Sequence, residues 1–119
     1  VTIFACGTLV YEALLAAREL EDKIDMEVVN VHTIKPIDEE TIVRSAKKTG
    51  KVITLEDHQI NGGLGGVIAE VLGEKLPTKI LRMGMKDSFG ESGEPRELLA
   101  KYGLNKDGVI KVTRKVING

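Results

Sequence analysis

The chain has 119 residues, 42% of them apolar and 3 of them proline, which fits one compact domain burying roughly two-thirds of its unfolded surface. Its 17 lysines and arginines stand against 18 acids, so bulk charge does not direct it to nucleic acid or an anionic membrane. The lone cysteine, Cys6, excludes an intrachain disulfide and fits a reducing, cytoplasmic setting, and the apolar runs are strand-sized, far short of the ~20 residues of a membrane span.

In chain order, VTIFAC (1–6) predicts a strand buried on both faces and ended by Gly7. Val1 is no initiator Met and already reads as core strand, so a longer polypeptide is expected upstream. Thr8 is the expected cap of a helix whose apolar positions Val10, Ala13, Leu14, Ala17 and Leu20 recur at helical spacing. MEVVNV (26–31) predicts a second strand, and HTIKPI a proline-marked loop. Asp38 then caps EETIVRSAKK, which Gly50 closes, with Lys47 and Lys48 placed at the negative helix end. KVITLE (51–56) predicts a third strand, LGGVIAEVL (64–72) a helix, and KILRMG (79–84) a fourth strand. A long polar loop, a helix opened by Pro95 and a last helix over roughly 106–117 complete the chain. Strands alternating with helices in this way mean β-α-β units, a parallel sheet and right-handed crossovers.

The chemistry-bearing stretch is LEDHQINGGLGG (55–66), which joins the third strand to its helix. With the first strand between the second and third, this connection and CGT (6–8) flank the crevice where doubly wound sheets bind ligands. Specific motifs fail there. A dinucleotide fingerprint would need a third glycine at Ile68, no Gly-Lys-Ser/Thr exists for a P-loop, and a phospho-acceptor site at Asp57 lacks an acidic pair, since Ala5, Cys6 and Gly7 stand in its place. A cysteine phosphatase loop would need arginine where Glu12 sits. Cys6 and His58 at adjacent strand ends are a candidate thiolate pair, against the preferred reading of Cys6 as a small packing residue. His32 and His58 do not supply a metal-ligand set.

Glu56, Asp57, His58, Asn61, Gly62 and Gly63 therefore form a candidate interface or ligand loop, with bonding to neighbouring backbone or another domain preferred over ligand binding. Gly62 and Gly63 are expected at positive φ, with Gly65 and Gly66 letting the helix start lie close to the sheet. The free amides at that helix start are a possible anion site, packing being the preferred reading. In the later loop KDSFGESGEP, Phe89 is a candidate interface contact, and the alternative, that it folds back on the sheet edge, stays open.

Four ordered stretches, ACGTLVYEALLAARELE, VVNVHTIKPIDEETI, VITLEDHQINGGLGGVIAEVL and DSFGESGEPRELLAKYGL, resemble the C-terminal domain of the transketolase family along the whole chain. The resemblance is greatest to short or split transketolases, with deoxyxylulose-phosphate synthase and 2-oxoacid dehydrogenase β subunits as alternative parents. It implies that residues 1–119 are one domain, a three-layer α/β/α sandwich with a mainly parallel sheet. The order here would be 2-1-3-4, the family's antiparallel edge strand being missing, so that the edge of Met26–Val31 is left bare. It also implies a parent of the pentose phosphate pathway that transfers two-carbon ketol units between sugar phosphates with thiamine diphosphate and a divalent metal. The family holds that cofactor upstream through a Gly-Asp-Gly motif, absent from this sequence, so no catalytic, cofactor or metal residue is expected here. The implied partners are the pyrimidine-binding domain of the same enzyme and a second subunit, in a cytoplasmic dimer. A free-standing small-molecule module using the Cys6/His58 crevice is the alternative of another class.

Overall fold

The strand β1 (Thr2–Ala5) is buried at every position, as a strand covered by helices on both faces must be. The computed structural model in which it lies describes residues 1–31, 37–59, 63–85, 100–101 and 103–119, with backbone alone at 57–59 and 85. Strand β1 pairs in parallel with β2 (Glu27–Asn30) on one side and β3 (Val52–Gln59) on the other, in register through Ile3, Val28 and Ile53. Strand β4 (Ile80–Met85) pairs in parallel with β3, so the sheet order is β2-β1-β3-β4, as the sequence implied. Among the described residues no strand pairs with the outer side of β2, which ends the sheet at the expected edge.

Successive side chains of a strand face opposite ways, and β1 uses both faces. Ile3 and Ala5 pack against α1 (Leu9–Leu20) and α4 (Lys106–Asn118), through Leu9, Ala13, Leu20 and Val109. Phe4 points to the other layer, α2 (Glu39–Thr49) and α3 (Leu64–Lys75), through Ile42, Ala46, Leu64 and Ile68. The result is a three-layer α/β/α sandwich. Thr2, fully buried on the α2 side, is satisfied by the Ser45 hydroxyl at 2.9 Å and the Thr49 hydroxyl at 2.8 Å.

Helix α2 matches its sequence signals. The Asp38 carboxylate accepts from the Thr41 backbone N–H at 3.1 Å, and Gly50 ends the helix at φ 75°, the left-handed conformation that favours glycine. Helix α1 differs in two ways from the expectation. Its buried residues are Leu9, Ala13, Ala16 and Leu20, whereas Leu14 is 51% exposed and Val10 and Ala17 are half-buried. Two apolar stripes at helical spacing run side by side on this Leu/Ala-rich helix, and only the positions of β1 and α4 decide which faces inward. Thr8 is the residue before the helix but makes no side-chain cap; Gly7, at φ 63°, turns the chain there.

Strand β3 runs three residues beyond the expected end at Glu56, and its pairing with β4 is irregular between Leu55 and Gln59. Glu56, Asp57 and His58 are thus strand residues in an irregular segment, not loop residues. A bulge of this kind keeps ladder pairing going through polar sequence that carries no strand signal. Helix α3 likewise runs on to Lys75, beyond the expected 72. The helix expected from Pro95 lies outside the described residues except Ala100 and Lys101, which are helical.

Candidate functional site

The carboxyl ends of β1 and β3 meet where expected. The Cys6 amide bonds the Leu55 carbonyl at 3.4 Å, and the Val31 amide bonds the Ala5 carbonyl at 2.9 Å. Beside them, α3 starts with amides that no earlier turn of helix can satisfy. Two of those amides are already taken. Glu56, 2% exposed, accepts from Leu64 N–H at 3.0 Å through Oε1 and from Gly65 N–H at 2.7 Å through Oε2. A carboxylate is what the positive end of the helix favours, so Glu56 is an internal counterpart of the anion that this helix start was open to.

The glycines follow from that arrangement. Gly63 is not at positive φ; it is extended, at φ −103°. A Cβ there would run into the Glu56 carboxylate, which two hydrogen bonds hold in place. Gly65 faces Thr54 Oγ1 and Arg82 Nε, each 3.0 Å from where its Cβ would be, and Gly66 faces Arg82 Nη2 at 3.2 Å. These last two glycines do let the helix start lie against the sheet. Thr54 is fully buried and its hydroxyl has no partner among the described residues. Thr54 and Arg82 belong to no motif in the sequence; the one signal is an arginine inside the otherwise apolar ILRM (80–83).

Of the candidate residues, Glu56 and Gly63 are therefore in direct apposition, and the backbone of Asp57 and His58 continues β3. The side chains of Asp57 and His58, together with Asn61, Gly62 and Phe89, lie outside the described residues. Cys6 is half-buried and packs on the Phe4 side of the core. A second long-range cap mirrors the first: Glu12 of α1 accepts from the Lys106 N–H at 2.8 Å, at the start of α4. Lys106 Nζ adds a bond of 3.1 Å to Glu19, and this carboxylate raises the lysine above its ordinary range.

This sheet order and site accompany a family match: the model of the transketolase C-terminal domain covers residues 1–109. The chain belongs to that family. This transketolase C-terminal domain is 49% identical over 117 residues to the 6-deoxy-6-sulfo-D-fructose transketolase subunit SqwH of Clostridium sp. (strain MSTE9), covering 98% of this chain and 36% of that one. It is 49% identical over 112 residues to a putative transketolase C-terminal section of Methanocaldococcus jannaschii, covering 92% of this chain and 34% of that one. A 1-deoxy-D-xylulose-5-phosphate synthase of Geobacter metallireducens is 38% identical over 120 residues, covering 98% of this chain and 19% of that one. Among solved structures, a split gene transketolase described as an inactive beta4 tetramer superposes with TM-score 0.88 at 42% identity, over 98% of this chain and 38% of that one. The transketolase C-terminal domain thus spans about a third of the length of the Clostridium and Methanocaldococcus relatives.

The sequence has no Gly-Asp-Gly, the Leu64 and Gly65 amides of α3 are bonded to Glu56, and among the described residues no three His, Cys, Asp or Glu side chains gather as metal ligands. No helix of the described residues is long and apolar enough to cross a membrane.

Proposed function

We propose that this domain is the non-catalytic C-terminal part of a thiamine-diphosphate-dependent transketolase that moves two-carbon ketol units between sugar phosphates. Its task is to pack on the pyrimidine-binding domain and support dimer assembly. The observation that carries the reading is 49% identity to transketolase subunits about three times as long as this chain. The internal use of Glu56 on the α3 amides supports it, because the position where this sheet would cradle a phosphate is spent on the fold itself. In this reading thiamine diphosphate and the divalent metal belong to the remainder of the enzyme, as do its catalytic groups, in a cytoplasmic assembly.

The polar tip after Glu56, with Asp57, His58, Asn61 and Gly62, and the loop bearing Phe89 are the contact surfaces toward that remainder. In the complete enzyme, His58→Ala and Phe89→Ala are expected to weaken dimer assembly measured by sedimentation, with activity falling in step. Unchanged assembly and activity in both variants would count against the contact role. A deoxyxylulose-phosphate synthase as parent is the second reading, favoured by relatives at 38% identity. Assaying the complete enzyme for ketol transfer and for deoxyxylulose phosphate formation separates the two. Titrating the domain with thiamine diphosphate and with sugar phosphates addresses the free-standing module, which tight binding would favour.

A further inference from the structure

The amino end of the sheet, opposite the crevice, holds a cavity of about 360 Å³. Lys51 and Lys79 enter it from the positions just before β3 and β4, and Lys115 enters from the last turn of α4. Val52, Leu81 and Val116 add apolar wall, Gly50 and Gly119, the last residue of the sequence, complete the lining, and no Asp or Glu side chain lines it among the described residues. In a chain whose net charge is −1, these lysines are a local concentration of positive charge.

One of the lysines is anchored. Lys51 Nζ donates to the carbonyls of Val116 at 3.2 Å and Ile117 at 3.0 Å, at the negative end of α4, which leaves one of its three N–H groups uncommitted. Lys79 and Lys115 make no ion pair with any described residue. The volume lies within the roughly 300–1,000 Å³ of small-molecule sites, and such sites combine apolar wall with a few convergent polar groups. Lysines act on phosphate as point charges. A bare anion would use the ammonium groups and leave the Val52, Leu81 and Val116 wall wet; an uncharged apolar molecule would do the reverse.

We propose that this cavity binds a small organic phosphate with an apolar body, the phosphate at the lysines and the body on the valine and leucine wall. The site is at the opposite end of the sheet from Glu56 and does not depend on the functional reading above. The test is calorimetric titration of the complete polypeptide carrying this domain with phenyl phosphate and, separately, inorganic phosphate. Phenyl phosphate is expected to bind at least tenfold more tightly than inorganic phosphate. The double variant Lys79→Glu/Lys115→Glu, whose side chains are exposed and whose fold is checked by thermal unfolding, is expected to weaken phenyl phosphate at least tenfold. The charge-matched pair Lys47→Glu/Lys111→Glu, outside the cavity, should change it less than twofold. Equal affinity for the two phosphates overturns the proposal, as does equal loss in both double variants. So does undiminished binding in the first, which would place the ligand elsewhere in the polypeptide.

Discussion

Glu56 reaches across eight residues of chain to the Leu64 amide and nine to the Gly65 amide, and its position on a buried strand makes that reach rigid. Removing it strands two buried donors, each of which costs on the order of 1–3 kcal/mol when left unpaired. Glu56→Ala is therefore expected to lower unfolding stability by about 3 kcal/mol in a denaturant titration, and Glu56→Gln, which retains one acceptor oxygen, by about half as much. Gly63→Ala places its Cβ on the same carboxylate, so both substitutions disturb one arrangement. The pair should be clearly less destabilising than the sum of the singles, whereas additivity within about 0.5 kcal/mol would mean that Gly63 is constrained by something else. Gly108→Ala meets a harder obstacle, the backbone carbonyl of Gly103, which cannot swing aside as a side-chain terminus can. At this scale the sequence grouped Glu56 and Gly63 in one candidate interface or ligand loop without bringing them into contact. Their relation is a contact across the strand-to-helix connection, and residue type alone does not reveal that a carboxylate points inward.

The elements differ in how far local signals carry. Helix α2 has an aspartate at one end and a left-handed glycine at the other, and both act within their own turn, so its limits were readable. The Thr41 hydroxyl and amide bonded to Asp38 hold its carboxyl below the ordinary aspartate range. Because the folded state thus binds the proton less readily than the unfolded chain, the cap's contribution is complete above the ordinary aspartate value. It is lost as pH falls through the lowered one. An NMR titration of the Asp38 carboxyl should give a midpoint below that of an unstructured aspartate, and Thr41→Val should bring it back up. Gly50→Ala is expected to cost about 1 kcal/mol, since an alanine must adopt the left-handed conformation there. Helix α3 is capped instead by Glu56, an acid from another element, and α4 combines a local cap, Asn105 accepting from the Gly108 amide, with Glu12 from α1. Strand β3 outruns its apolar stretch because pairing with β4 resumes at Gln59 beyond an irregular segment. The start of α3 and the end of β3 are set by neighbours.

Across the whole molecule, the helical layers compete for nothing: one core lies on each side of the sheet, and β1 feeds both. Phe4 heads the fully buried side chains by volume among the described residues, so Phe4→Ala should cost about 3–5 kcal/mol. Leu14→Ala, at an exposed site of α1, should change stability by less than about 0.5 kcal/mol, measured in the same denaturant series. A large loss at Leu14 would return it to the core that periodicity alone assigned it to. The alternation of short apolar strands with helices determined the layered α/β class, and the ordered motifs carried the family and with it the 2-1-3-4 sheet order. Those signals are local in sequence, spread over many residues and redundant. Only the tertiary structure decided which stripe of α1 is buried, that β3 continues through Glu56, and that LEDHQINGGLGG spends its acid on the amides of α3. Each of these depends on which distant group a side chain or amide meets after the chain has closed, and long-range apposition leaves no periodic mark in the sequence.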